Sequence, residues 1–317
     1  MPGDAILVEN LVKDYPTRKG VVRALSGVSF RVEEGEIVGL LGPNGAGKTT
    51  IIKILCGLVH ATFGKAEVFG VPSHRPEVGR YVAAVLEGSR NVYWRLSVLE
   101  NLRFFAGLQG IPRREATRRA QELLAFFGLS EKKNTVANLL SQGMKQKLAI
   151  ACALIKGTPV LLLDEPTLGL DVEASHEVRA LIRELARNER KTIVLSSHDM
   201  RVVEDTCERV VILSRGRVVA DDSIPNLLAL FRTRAFRIHF QNGLSDEALT
   251  QLSAHFPTLH WLPQDRALEV ELSPHQSLYE LIDLLREAGT EPEGIHRVEP
   301  DLEEVFLRLV RSERKEP

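Results

Sequence analysis

Four short segments hold residue types suited to phosphate chemistry. The stretch GPNGAGKTT, Gly42 to Thr50, has the makings of a phosphate cradle. Gly42, Gly45 and Gly47 let backbone N–H groups converge on phosphate oxygens, with Pro43, Asn44 and Ala46 completing the loop. Lys48 adds a point charge, and a hydroxyl of Thr49 or Thr50 can ligate magnesium. VLLLDEP, Val160 to Pro166, is an apolar run that ends in two acids. An unpaired carboxylate on a strand buried on both faces is costly, so Asp164 and Glu165 imply a compensating cation or a proton transfer. Asp164 is expected to hold magnesium through water, and Glu165 to polarise a hydrolytic water. The acid pair alone leaves a solvated strand end as the alternative. IVLSSH puts His198 at another strand end, where a neutral imidazole can meet a terminal phosphate or its attacking water. LLSQGMKQ, Leu139 to Gln146, turns from loop to helix at Ser141, Gln142 and Gly143. Such a helix start presents free N–H groups and a positive dipole end, which suits an anion. The chain therefore carries two anion sites.

The elements that must position these residues are legible in outline. GEIVGLLG, PVLLLDE, KTIVLSSH and RVVILSRG are short apolar runs, each followed by a turn or helix signal, as in a parallel sheet covered on both faces. The first run leads into the phosphate loop and the helix TTIIKILCGL, the context such a loop requires. The amino-terminal segment, AILVENLVKDYP through VVRALSGVSFRVEEGE, alternates apolar and polar residues and predicts an antiparallel β layer. Between residues 88 and 157 the pattern turns helical. SVLENLRFFAGLQG opens with Ser97 and Glu100 in capping-box spacing, and RREATRRAQELLAFFG repeats apolar residues at helical intervals. After Arg232 the order is strand, helix, strand, strand, helix, strand and a closing helix DLEEVFLRLV, that of a small ferredoxin-like sandwich.

Composition bounds the rest. The 317 residues suffice for two domains, and 44% hydrophobic with 26% charged is typical of a globular protein. No apolar stretch reaches the roughly 18 to 20 residues a membrane span requires, since Lys156 and Asp164 interrupt the longest. MPGDAILVEN lacks the basic start and apolar core of a secretory signal, so the chain is expected on the cytoplasmic side. Cys56, Cys152 and Cys207 have no metal-type spacing and are expected as buried thiols. Residues 1–232 hold 32 Lys/Arg and 26 Asp/Glu, and residues 233–317 hold 9 and 16. That asymmetry predicts a boundary near residue 232, and neither part has the concentrated basic composition of a nucleic-acid binder.

Taken together and in this order, GPNGAGKTT, LSQGMKQ, LLLDEPTLGLD and SSH resemble the nucleotide-binding domain of ABC-type ATPases across residues 5–232. The resemblance implies an α/β fold: a phosphate-loop core sheet, an antiparallel β layer and a helical subdomain at about 88–157, with residues 233–317 as an α+β accessory domain. It implies ATP and Mg2+ as cofactors. It also explains two anion sites: the helix start at Ser141 would face the γ-phosphate held by a second copy, so that two chains sandwich two ATP molecules. Tyr15 matches the aromatic that stacks on adenine, and Asp171 in LGLD matches the loop that bridges the two sites. Residues Glu87 to Leu99 match the loop that senses the γ-phosphate and adjoins the groove for a membrane partner, which Tyr93 and Trp94 would suit.

This chain departs from that pattern twice. Gln142 replaces the first glycine after the signature serine and Met144 the usual glutamine, while Ser141 and Gly143 remain. Glu87 stands where the sensing loop normally offers a glutamine, and as a metal ligand it would bring a full negative charge. The tail motif PDLEEVFLRLV resembles that of ATP-binding subunits from ABC-2 type exporters, including the drug-resistance group. This implies an ATPase that drives integral membrane permease subunits by ATP-dependent dimerisation. The competing expectations are a soluble ABC ATPase acting on ribosomes or nucleic acid, and a regulatory ATP-binding protein with little turnover.

Overall fold

The alternating start of the chain forms two long antiparallel strands, β1 (Asp4–Thr17) and β2 (Gly20–Glu33). Alternation sends Phe30 and Val32 inward and Arg31 and Glu33 outward, as period-two geometry requires. The next strand, β3 (Ile37–Leu41), leaves this layer, is buried at every residue and leads into α1 (Lys48–Leu55). β4 (Phe63–Val68) and β5 (Val71–Pro72) return to the layer, whose order is β2-β1-β4-β5. Ile51, Ile52 and Leu55 of α1 share one apolar cluster with Val8, Leu11 and Leu25 of the layer and with Val38 and Leu40 of β3. The helix that follows the phosphate loop is thus anchored between the two sheets. The computed structural model describes residues 3–313, with side chains to residue 310, apart from Lys19, Ser89, Arg90, residues 232–234, Asn242, Pro274, Glu299 and Pro300.

β6 (Val82–Val85) precedes the helical insert of α2 (Val98–Leu108), α3 (Arg113–Phe126) and α4 (Gln142–Leu154). The capping box predicted from Ser97 and Glu100 forms: Glu100 N–H donates to Ser97 Oγ, and Ser97 N–H donates to Glu100 Oε2. Asn101 is fully buried, accepts from Tyr93 N–H at 2.7 Å and donates to the Tyr93 carbonyl at 3.0 Å. One side chain therefore fixes the loop that enters the insert.

The chain then returns to the core through β7 (Val160–Asp164), α5 (Val172–Glu189), β8 (Thr192–Ser197), α6 (Met200–Thr206), β9 (Arg209–Ser214) and β10 (Arg217–Ser223). The six-stranded sheet has the order β10-β9-β3-β8-β7-β6, parallel throughout except at β10. β7 and β8 are buried along their whole length, which is why their sequences are continuous rather than alternating.

After α7 (Ile224–Leu230) comes a third sheet of β11 (Ala235–His239), β12 (His260–Leu262), β13 (Ala267–Glu271) and β14 (Gly294–Arg297), in the order β12-β13-β11-β14. α8 (Asp246–His255) and α9 (Leu278–Glu287) pack Leu252, Leu281 and Leu285 on Ile238, Leu268 and Val270. That strand order and those helices make a ferredoxin-like sandwich, and α10 (Leu302–Glu313) closes the chain. Contacts divide the protein into Met1–Ile224 with Leu309–Pro317, and Pro225–Arg308. The boundary expected at Arg232 lies outside the described residues.

Candidate active site

Three of the four motifs meet because β3, β8 and β7 are neighbours in the parallel sheet. Their carboxyl ends deliver the phosphate loop, His198, and Asp164 with Glu165 to one edge, where open α/β sheets place their ligands.

Lys48 is buried, and its ammonium donates to the Gly42 carbonyl at 2.6 Å and the Pro43 carbonyl at 3.3 Å. Its Nζ lies 3.8 Å from Glu165 Oε1. Burial pushes the lysine below its usual pKa, while Glu165, Asp164 and Glu87 oppose that shift. Gly47 at φ 109° is the N-cap of α1, a conformation open to glycine and strained for other residues. Gly42 is close-packed for another reason: a Cβ there would stand 2.3 Å from the Leu213 carbonyl oxygen.

Asp164 is 2% exposed. Its Oδ1 accepts from Ser196 Oγ at 2.6 Å and from Thr49 Oγ1 at 3.1 Å. Its Oδ2 is buried with no hydrogen-bond partner. A divalent cation would satisfy such an oxygen, and a carboxylate beside a threonine hydroxyl is a donor set that would fit Mg2+.

Glu165 adopts a left-handed φ of 51°, a conformation that costs roughly 1–3 kcal/mol away from glycine and concentrates at functional sites. The position is held from β8: Glu165 N–H donates to the Ser196 carbonyl at 3.1 Å, Ser197 Oγ donates to Glu165 Oε2 at 3.4 Å, and His198 Nδ1 is 3.0 Å from Glu165 Oε1. Ser196 and Ser197 belong to the SSH segment, where nothing in residue type or spacing distinguishes them from other strand serines. Each serine bonds one of the two acids.

A cavity of about 650 Å³ opens along the phosphate loop, lined by Asn44 to Thr50, Glu87, Glu165, Leu168 and His198, and closed on the β-layer side by Val22, Arg23 and Ala24. Tyr15 is not among its lining residues. It pairs in register with Val22, and the Lys13 ammonium covers its ring at 4.8 Å from the centroid. The β-layer contact with this cavity therefore comes from the strand next to the expected tyrosine, and composition alone does not separate the two.

Ser141 caps α4, its Oγ accepting from Met144 N–H at 3.2 Å. Ser141 and Gln142 are exposed and Gly143 is buried. A Cβ at Gly143 would come within 2.7 Å of the Ala174 Cβ on α5, whereas Gln142 opens the helix facing outward. The second signature glycine is thus required by packing and the first is not. Asp171 caps α5, accepting from Ala174 N–H at 2.8 Å. A second cavity, of about 260 Å³, is lined by Glu87, Trp94, Gln142, Gln146, Asp164 and Glu165 among others. Glu87 and Gln142, the two departures noted in the sequence, share it. Glu87 is exposed and lines both cavities.

A family model described as ABC transporter matches residues 25–168. The ABC transporter ATP-binding protein NatA of Bacillus subtilis is 35% identical over 75% of this chain and 98% of its own length. The methionine import ATP-binding protein MetN of Geobacillus kaustophilus is 32% identical over 80% of this chain and 77% of its own. Among solved structures, the ATP-binding cassette MJ0796, a dimer in a post-hydrolysis state bound to ADP and Pi, aligns with a TM-score of 0.62. It is 28% identical over 69% of this chain and 98% of that one. CbiO1 of Clostridium perfringens, part of the ABC transporter complex CbiONQ, aligns with a TM-score of 0.65 at 26% identity, over 80% of this chain and 96% of that one.

Proposed function

The chain belongs to the ATP-binding proteins of ABC transporters and is an ATPase that uses ATP with Mg2+, and we propose that it drives the membrane subunits of an exporter by closing on ATP with a second copy of itself. The phosphate loop holds the nucleotide, Thr49 and Asp164 hold the Mg2+, and Glu165, oriented by His198, accepts a proton from the attacking water. Ser141 and the start of α4 bind the γ-phosphate held by the partner copy, and Asp171 lies at the junction. ATP binding does the conformational work, and hydrolysis gives the cycle its direction.

The observation that carries the shared site is the separation of its halves. Ser141 is exposed and does not line the cavity of its own phosphate loop. Leu139, two residues before it, and Val172, on the α5 that packs against α4, are 75% and 86% exposed, apolar residues that a symmetric pair would cover. The membrane partner is assigned to a groove of about 380 Å³ between β6 and the insert, lined by Ala83, Ala84, Asn91, Phe105 and Cys152, with Tyr93 and Trp94 exposed on the same entry loop.

Export rests on the tail motif PDLEEVFLRLV, and import is the reading that the methionine import relatives favour. Purification of tagged chain from detergent-solubilised membranes should recover a polytopic partner. ATP-driven movement of that partner's substrate in oriented vesicles then fixes the direction. Recovery of the chain with ribosomes or nucleic acid and no polytopic protein would contradict the proposal.

A further inference from the structure

The basic charge of the chain is concentrated in the helical insert. Residues 88–157 hold twelve Lys/Arg and four Asp/Glu, and the rest of the chain holds 29 and 38. Some of these cations are committed: Arg118 and Arg119 pair with Glu115, Lys147 with Glu177, and Lys156 donates to the Gly79 carbonyl. Arg95, Arg113, Arg114, Lys132 and Lys133 are exposed and make no ion pair among the described residues. Leu99 N–H donates to the Lys133 carbonyl at 2.9 Å, which ties the lysine turn to the start of α2, where Arg95 also lies. Arg113 and Arg114 open α3 at the other end of α2.

Between these two groups runs an apolar strip. Phe104 and Leu108, one turn apart on α2, are 37% and 64% exposed. Exposed aromatic and aliphatic residues flanked by unpaired cations have the chemistry of an interfacial membrane contact. Cytoplasmic loops with the usual excess of Lys and Arg do not complement this charge. Anionic headgroups of the cytoplasmic leaflet do complement it.

We infer that the insert makes direct contact with anionic lipid headgroups through Arg113, Arg114, Lys132 and Lys133, with Phe104 and Leu108 at the level of the interface. This rests on the reading that the chain works at a membrane and adds to the permease a second, sequence-independent attachment. A cation near an anionic surface is worth about fivefold in partitioning, so loss of four should weaken binding by roughly 600-fold at low salt.

The test is flotation of the purified full chain with vesicles of phosphatidylcholine alone and with vesicles containing phosphatidylglycerol, neither holding any permease. The chain should float only with the anionic vesicles, and added salt should release it. R113Q/R114Q/K132Q/K133Q should lose flotation and keep ATP binding, since none of these residues lies at the nucleotide cavity. R113K/R114K should float like wild type, because headgroup attraction needs charge and not a guanidinium. If the quadruple variant loses ATP binding through misfolding, the salt titration of the wild-type chain decides. No flotation with anionic vesicles, equal flotation with neutral ones, or flotation unaffected by salt would overturn the inference. So would capture by an RNA or DNA probe with none by the vesicles. A negative result would leave the permease partnership untouched.

Discussion

His198 Nδ1 stands 3.0 Å from Glu165 Oε1, joining the ends of β8 and β7. The imidazole turns one carboxylate oxygen toward itself, Ser197 Oγ reaches the other at 3.4 Å, and Lys48 Nζ lies 3.8 Å away. A carboxylate restrained on three sides keeps its orientation, which the proposed role as general base requires.

Glu165→Gln should therefore keep ATP binding and lower turnover by about 10²–10⁴, the range for loss of a general base. His198→Ala, which leaves the carboxylate in place, should lose less. Single-turnover hydrolysis beside nucleotide affinity separates the two effects. Wild-type turnover in Glu165→Gln would assign the base elsewhere.

Gly143→Ala should destabilise the α4–α5 contact by about 1–3 kcal/mol, the usual range for overpacking, because its Cβ would stand 2.7 Å from the Ala174 Cβ. Adding Ala174→Gly should restore part of the loss, and Gln142→Ala should be close to neutral for stability. Denaturant midpoints of wild type, Gly143→Ala, Ala174→Gly, the double variant and Gln142→Ala make the comparison, and absence of coupling between positions 143 and 174 would refute the packing account.

Glu87 offers only acceptors and a negative charge, where a glutamine offers a neutral carbonyl and an amide. It acts electrostatically on Lys48 and lines the nucleotide cavity. Repulsion from a triphosphate is reversed by a cation between them. Glu87→Gln should thus improve binding of metal-free ATP and flatten the magnesium dependence. Nucleotide affinity across a magnesium titration at fixed ionic strength is the check, and superimposable curves would remove Glu87 from the site.

Cys56 follows α1 and donates from Sγ to the Ile52 carbonyl at 2.9 Å. Burial pushes its thiol up to about 11. The raised value keeps the thiol protonated at neutral pH, and the reactive thiolate appears only as pH rises toward 11. Alkylation by iodoacetamide should accordingly keep accelerating above about pH 10. A rate that is half-maximal near about pH 8.5 and level by about pH 10 would show an unperturbed thiol.

Much of this organisation was legible in the sequence because it rests on local rules. The capping box at Ser97, the glycines of the phosphate loop and the fully buried runs of β3, β7 and β8 each follow from residue type and spacing. The tail sandwich was readable from element order alone. What escaped depends on residues brought together by the sheet. Ser196 and Ser197 orient acids that lie a full strand away, and Val22, Arg23 and Ala24 of β2 close the cavity along the phosphate loop. The tolerance of Gln142 beside an obligatory Gly143 is decided by Ala174, thirty-odd positions along the chain. The charge of the insert was hidden for a different reason: averaging over residues 1–232 diluted it.

The central claim is that each active centre is built from two chains. Ser141→Ala and Lys48→Ala chains, each inactive or nearly so, should be mixed in equal amounts and assayed for ATP hydrolysis. A mixed pair contains one centre with both Lys48 and Ser141 intact, and one lacking both. If pairing is random and centres work independently, the mixture should recover about a quarter of wild-type activity, with ATP affinity of the Ser141→Ala monomer unchanged. Activity no greater than the average of the two parents, with ATP affinity lost in the Ser141→Ala monomer, would place Ser141 at its own chain's nucleotide and contradict the account.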